Sequence, residues 1–147
     1  MISREWLPTG GPVTVSVAGS LTVTGHANPD PSSDQLLVVR VSTPLPVPAP
    51  RLGYSALVRV GDSVEVPVTA AGRYIWTPAL VEQFTSMNGE SPATIQASLD
   101  GIDGSFTGRP VRNDLDEIVG IIVATRRFPG QATIITADTL RLVRDER

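Results

Sequence analysis

Few residues in this chain could do chemistry, and most of them lie in one stretch. Residues 101–125 read GIDGSFTGRPVRNDLDEIVGIIVAT. The first eight positions hold three glycines, Gly101, Gly104 and Gly108, around two hydroxyls, Ser105 and Thr107. Glycine at that density serves backbone positions with φ > 0, or a backbone that something approaches closely. A loop of that kind, held between buried strands, is where a scaffold places function. Asp100, Asp103, Asp114 and Asp116 fall in or beside the same stretch. Clustered oxygens suit a hard cation, but their spacing matches no EF-hand or nonapeptide-repeat loop, and no metal or other cofactor is expected. Elsewhere His26 is the only imidazole, with Asp30 and Asp34 shortly after it. Cysteine is absent, which excludes disulfides and thiolate metal sites.

The elements that must position these groups read as β-structure. Val13, Val15 and Val17 alternate with Thr14 and Ser16, and Leu21 and Val23 resume the pattern beyond Ala18-Gly19-Ser20. Period-2 alternation around a Gly-Ser turn predicts a hairpin over residues 12–25. Residues 26–34 are dense in turn formers and read as a loop. Residues 36–41 are nearly all apolar, which predicts a strand buried on both faces. Proline then occupies every second position from Pro44 to Pro50; such a segment cannot join a central ladder and runs as an extended connector.

Further strands are predicted over 55–60, 63–69, 73–76, 79–85, 93–99, 118–124 and 132–135, with a turn at 87–90 and a loop at 126–130. Pro67 marks its strand for an edge or a bulge. Leu140 and Val143 have helical spacing after Thr136 and Asp138, two N-cap candidates, so a C-terminal helix over 137–144 is expected. Many short strands with one terminal helix predict an all-β barrel or sandwich.

A length of 147 residues suits one domain of ordinary size with a real core. The net charge is −3 and all 12 basic residues are arginine. That leaves no basic footprint for nucleic acid, and no apolar run approaches a membrane span. The start, Met-Ile-Ser-Arg-Glu-Trp, has no apolar core of signal-peptide length, so a cytoplasmic location is expected.

The loop also carries a resemblance. Phe106-Thr107-Gly108-Arg109-Pro110-Val111, with Ile118-Val119-Gly120-Ile121-Ile122 after it, resembles the nucleophile loop and following strand of the chymotrypsin-like serine peptidases, the HtrA-like branch above all. Val58-Arg59-Val60-Gly61-Asp62-Ser63-Val64, Thr94-Ile95-Gln96-Ala97 and residues 132–140 resemble, in order, the opening strand, the strand before the nucleophile loop, and the strand leading to the closing helix of that family's second barrel. Asp34 with residues 35–41, and Leu21-Thr22-Val23-Thr24-Gly25-His26, are fainter matches to the triad aspartate and histidine segments of the first. The resemblance implies an antiparallel β-barrel of the trypsin-like type with a C-terminal α-helix: a shortened first-barrel segment over 1–52 and a second barrel over 53–147.

It also implies roles. Thr107 stands at the nucleophile position, His26 at the base, and Asp34 at the orienting carboxylate, with Asp30 as a stand-in. The backbone N–H groups of Ser105 and Thr107 stand at the oxyanion donors. Phe106, Gly108 and Arg109 would flank the substrate or partner cleft. The chain departs from the family in three ways. Thr107 replaces serine and adds a methyl with a stiff χ1. Ser105 replaces a glycine, and a side chain resists φ > 0. Only eight residues separate His26 from Asp34, where the family inserts several strands.

The bland alternative is a solvated loop histidine, a strand-start carboxylate, and a tight turn whose hydroxyls cap backbone groups. The departures favour a catalytically impaired trypsin-like domain that binds a peptide or partner protein, or serves as a structural module. An active serine/threonine-type endopeptidase using His26, Asp34 and Thr107 is the enzyme alternative. A β-barrel assembly subunit with no ancestral site, working as an oligomer, is the third.

Overall fold

The structure is a computed structural model that describes residues 2–3, 11–17, 21–29, 36–46, 48–54, 58–85 and 94–139. The chain divides into two compact units, Met1–Ala49 and Pro50–Arg147. Unit 1 is an antiparallel sheet of β1 (Ile2–Ser3), β2 (Gly11–Val17), β3 (Leu21–Pro29) and β4 (Leu36–Val41), in the order β1-β4-β3-β2. The predicted hairpin is β2–β3, with Val15 opposite Val23; its turn lies outside the described residues. β3 runs four residues past the predicted end, because its second half pairs with β4 as well as β2. At Asn28 and Pro29 the pairing with Val38 and Leu37 of β4 outweighs their turn propensity. β4 is less buried than its apolar run suggests: Val38, Val39 and Val41 are half-buried and Arg40 is exposed. Its β-branched residues reflect strand propensity rather than two covered faces. Pro44, Pro46, Pro48 and Pro50 are exposed and outside any ladder.

Unit 2 is a closed six-stranded antiparallel barrel. Its strands are β5 (Ser63–Ala70), β6 (Arg73–Thr85), β7 (Thr94–Ser98), β8 (Pro110–Arg112), β9 (Ile118–Arg126) and β10 (Gln131–Thr136). Two meanders, β5-β6-β7 and β8-β9-β10, close where β10 pairs with β7 and β5 with β8. The alternation seen in the sequence is the inward face. Val64, Val66, Ala79, Val81, Ile95, Ala97, Val111, Val119, Ile122, Ala132 and Ile134 form one buried core. Gly120 is there for space: a Cβ would stand 2.3 Å from the Ile135 carbonyl oxygen, beside its ladder partner Thr136.

Two strand expectations are corrected. Residues 73–85 are a single strand, not two around Thr77-Pro78. Pro78 is tolerated because it is exposed at its place opposite Glu65. The strand expected over 55–60 is not formed at Val58 and Arg59, and Val60 and Gly61 form a turn. The Asp62 carboxylate accepts from the Arg59 N–H at 2.9 Å and bends the chain there. Residues 55–57 and the turn expected at 87–90 lie outside the described residues. The C-terminal helix begins at Ala137, with the Thr136 and Thr139 hydroxyls 3.3 Å apart across its first turn; residues 140–147 lie outside the described residues. Among the described residues, no helix is long and apolar enough to cross a membrane.

The barrel has one thin seam. β5 and β8 share a single paired position, Glu65 opposite Arg112. Pro67, the residue expected to mark an edge or bulge, lies on β5 beyond that pair. Having no N–H, it leaves no donor orphaned there.

Candidate functional site

The glycine-rich loop is fastened to the barrel at several points. Gly104–Phe106 form a single 3-10 turn. Phe106 drives its ring into the barrel core and is only 7% exposed. Beyond it the chain reverses at Gly108, whose φ of 91° is a glycine conformation. The Gly108 N–H donates to the Ile122 carbonyl at 2.7 Å, and the Ile122 N–H to the Arg109 carbonyl at 3.0 Å. Thr107 is thus held, half-buried, between two residues locked to the core and to β9.

The N–H groups of Ser105 and Thr107, to which the resemblance gives the oxyanion role, are both engaged within the loop. The Ser105 N–H donates to the Asp103 carboxylate at 2.8 Å, and the Ser105 hydroxyl donates to the same oxygen at 2.5 Å. The Thr107 N–H points back at the Gly104 carbonyl, 3.2 Å away. An oxyanion hole needs these donors free and convergent on one point outside the loop; here each has its own acceptor inside it. The Ser105 hydroxyl and N–H hold the Asp103 carboxyl below the ordinary carboxylate range, helped by the more distant charges of Arg109 and Arg127. Ser105 therefore bonds a carboxylate, rather than capping only backbone groups.

The remaining expected residues are placed as follows. His26 is on β3 in unit 1, opposite Pro12 and Arg40 in the ladders, with its side chain exposed. It is a strand residue, not a loop residue. Asp34 and Asp30 lie outside the described residues. Phe106 faces the core rather than a cleft, because a large apolar ring gains more by burial. Gly108 and Arg109 do line a groove, together with Pro67, Tyr74, Trp76 and Pro110, of about 390 Å³. Asp103 is engaged with Ser105, and Asp116 with Arg112 at 3.1 Å.

Arg109, expected from the resemblance to flank a cleft, lines that groove, and Arg112 stacks on Trp76 of its wall. The Arg109 guanidinium lies 4.1 Å over the Phe106 ring and donates to the Pro67 carbonyl at 2.7 Å. It closes the seam beside the residue that cannot donate to it. The Arg112 guanidinium lies 4.1 Å over the Trp76 ring and donates twice to Glu65, at 2.9 and 3.1 Å. For Arg112 the signal available in the sequence was only its i, i+3 spacing from Arg109 across a proline.

No family model matches the sequence, and no curated protein matches it. Solved structures do. The Rv3671c protease in an inactive form superposes with a TM-score of 0.70 at 16% identity, covering 99% of this chain and 76% of that one. The apo MamO protease domain from Magnetospirillum magneticum gives 0.59 at 18% identity, covering 89% and 73%. At such identities the likeness is one of fold: this chain is built on the trypsin-like, HtrA-like protease fold.

Proposed function

We propose that this chain is a catalytically impaired trypsin-like domain that works as a peptide- or protein-binding module. One observation carries the reading: the N–H groups of Ser105 and Thr107 are both engaged by acceptors inside the loop, Asp103 and Gly104. A tetrahedral oxyanion would find no free pair of donors there. Removing one such donor costs a peptidase on the order of a hundredfold or more in rate, and the methyl of Thr107 crowds attack further. What the loop retains is a rigid platform beside an open groove. The first-barrel segment, residues 1–52, serves in this reading as a structural module, and the location is cytoplasmic.

The test is direct. Casein and generic peptides should go uncleaved, and a fluorophosphonate probe should leave the protein unlabelled. The variant carrying Thr107→Ser with Ser105→Gly should also stay unlabelled. Robust cleavage by the unaltered chain that vanishes in His26→Ala would replace this reading with the endopeptidase one.

A further inference from the structure

Arg109 on the groove and Arg112 beside its Trp76 wall differ in one respect. Both are half-buried and both lie 4.1 Å over an aromatic ring. Arg112 has its charge matched twice, by Glu65 at 2.9 Å and Asp116 at 3.1 Å. Arg109 forms no ion pair among the described residues. Among the described residues the one hydrogen bond of its guanidinium goes to a neutral carbonyl, that of Pro67, through Nη1. A guanidinium carries five donors in a planar fork. A charge partly removed from water is best matched by an ionised acceptor, and arginine takes carboxylates bidentately. Asp103, whose carboxyl feels the Arg109 charge, already accepts two bonds from Ser105.

The surroundings of that unmatched cation are apolar. Pro67, Tyr74, Trp76 and Pro110 supply the rest of the wall, and Tyr74 is 72% exposed. The volume of about 390 Å³ falls within the size range of small ligand sites and suits one or two side chains. An apolar wall with one cation at its end selects a ligand that has an apolar side chain beside an anionic group.

We propose that the groove between β5–β6 and the start of β8 binds an extended peptide segment of a partner protein. An aromatic or aliphatic side chain lies against Tyr74 and Trp76, and a neighbouring Asp or Glu carboxylate pairs with Arg109. The inference rests on the binding-module reading and names the ligand class of that module. The β5–β8 seam beside the Gly-rich loop becomes the recognition surface, and Arg109 sets its charge preference.

The probe is Ac-Leu-Glu-Phe-Glu-Leu-amide, titrated into isotope-labelled full-length chain while the Trp76 indole N–H and Arg109 guanidinium resonances are followed. Its Gln counterpart and the Gln peptide with a free C-terminal carboxylate are the comparisons. The Glu peptide should bind at least about tenfold more tightly than the Gln amide, since a hydrogen bond to an ionised group is worth more than a neutral one. Arg109→Gln should erase that preference, and Tyr74→Ala, an exposed position that leaves the fold intact, should weaken both peptides alike. Equal binding of Glu and Gln amides at Trp76 would overturn the acidic preference and leave the binding module standing. Preference for the free C-terminus over the Glu side chain would replace the occupant with a chain end. No shift at Trp76 or Arg109 with any peptide would overturn the groove as a peptide site, while the impaired-domain reading would still stand or fall by the cleavage and labelling assays.

Discussion

Replacing Arg112 by alanine should unfasten the seam between β5 and β8. That seam has one paired position, Glu65 opposite Arg112, so the side chains at that position carry much of the contact. Three interactions go with the guanidinium. The double bond to Glu65 joins side chains only 24% and 32% exposed. A hydrogen bond to a charged group contributes about 1.5–3 kcal/mol, and partial exposure argues for the lower end. The stack on Trp76 adds about 0.5–1 kcal/mol. The Asp116 partner is 78% exposed and adds about 0–0.5 kcal/mol. The total is about 2–3 kcal/mol, which for a unit of this size lowers Tm by roughly 10 °C. Urea and thermal unfolding followed by circular dichroism would read it. Asp116→Asn, which suits that residue's φ of 60°, is the control and should cost under about 0.5 kcal/mol. A loss in Arg112→Ala as small as the control's would mean that the backbone closes the barrel unaided, and the seam argument would fail.

Asp103 predicts a pH dependence whose sign is fixed by its lowered pKa. The bonds to Ser105 are intact above the ordinary carboxyl value of 3.8 and are lost only as the pH falls through the lower, folded value. The Ser105 amide proton resonance should hold steady down to that ordinary value and move below it; a midpoint above 3.8 would contradict the geometry. Asp103→Ala should raise amide exchange at Ser105 by about tenfold while leaving Gly108, bonded to Ile122, protected. Gly120→Ala drives a methyl to 2.3 Å from the Ile135 carbonyl oxygen and should cost about 2–4 kcal/mol in chemical denaturation. Phe106→Ala empties a core position and removes the ring beneath Arg109; a cost of about 3–4 kcal/mol is expected, with broadened resonances along the loop.

The barrel was legible because its signals are periodic. Val64 and Val66 on β5, and Ile95 and Ala97 on β7, announce one buried face through strict alternation, and the structure buries those residues. The misreadings came from local breakers that tertiary pairing overrode. Thr77-Pro78 looked like a strand end, but a proline at an exposed ladder position removes little, and β6 runs through it. His26 looked like a loop residue because turn formers follow it, yet two neighbouring strands hold it in a ladder. Single-chain propensity records the first effect and is blind to the second.

The loop was legible in position but not in state. Gly108 and the apolar β9 located it, and Ser105 in place of glycine marked the oxyanion position as altered. The sequence suggested that this side chain would resist the required backbone. In the structure the Ser105 hydroxyl and N–H together grip Asp103, two residues back. A glycine there would have no hydroxyl to add to the N–H bond. The serine thus adds a second hydrogen bond to a carboxylate that the resemblance did not single out. The same logic hid the partners of Arg109 and Arg112. Their partners Pro67 and Glu65 lie 42 and 47 residues away in sequence, so only the closed barrel shows that one arginine is charge-matched and the other is not. That difference between two similar residues gives the groove its chemical direction.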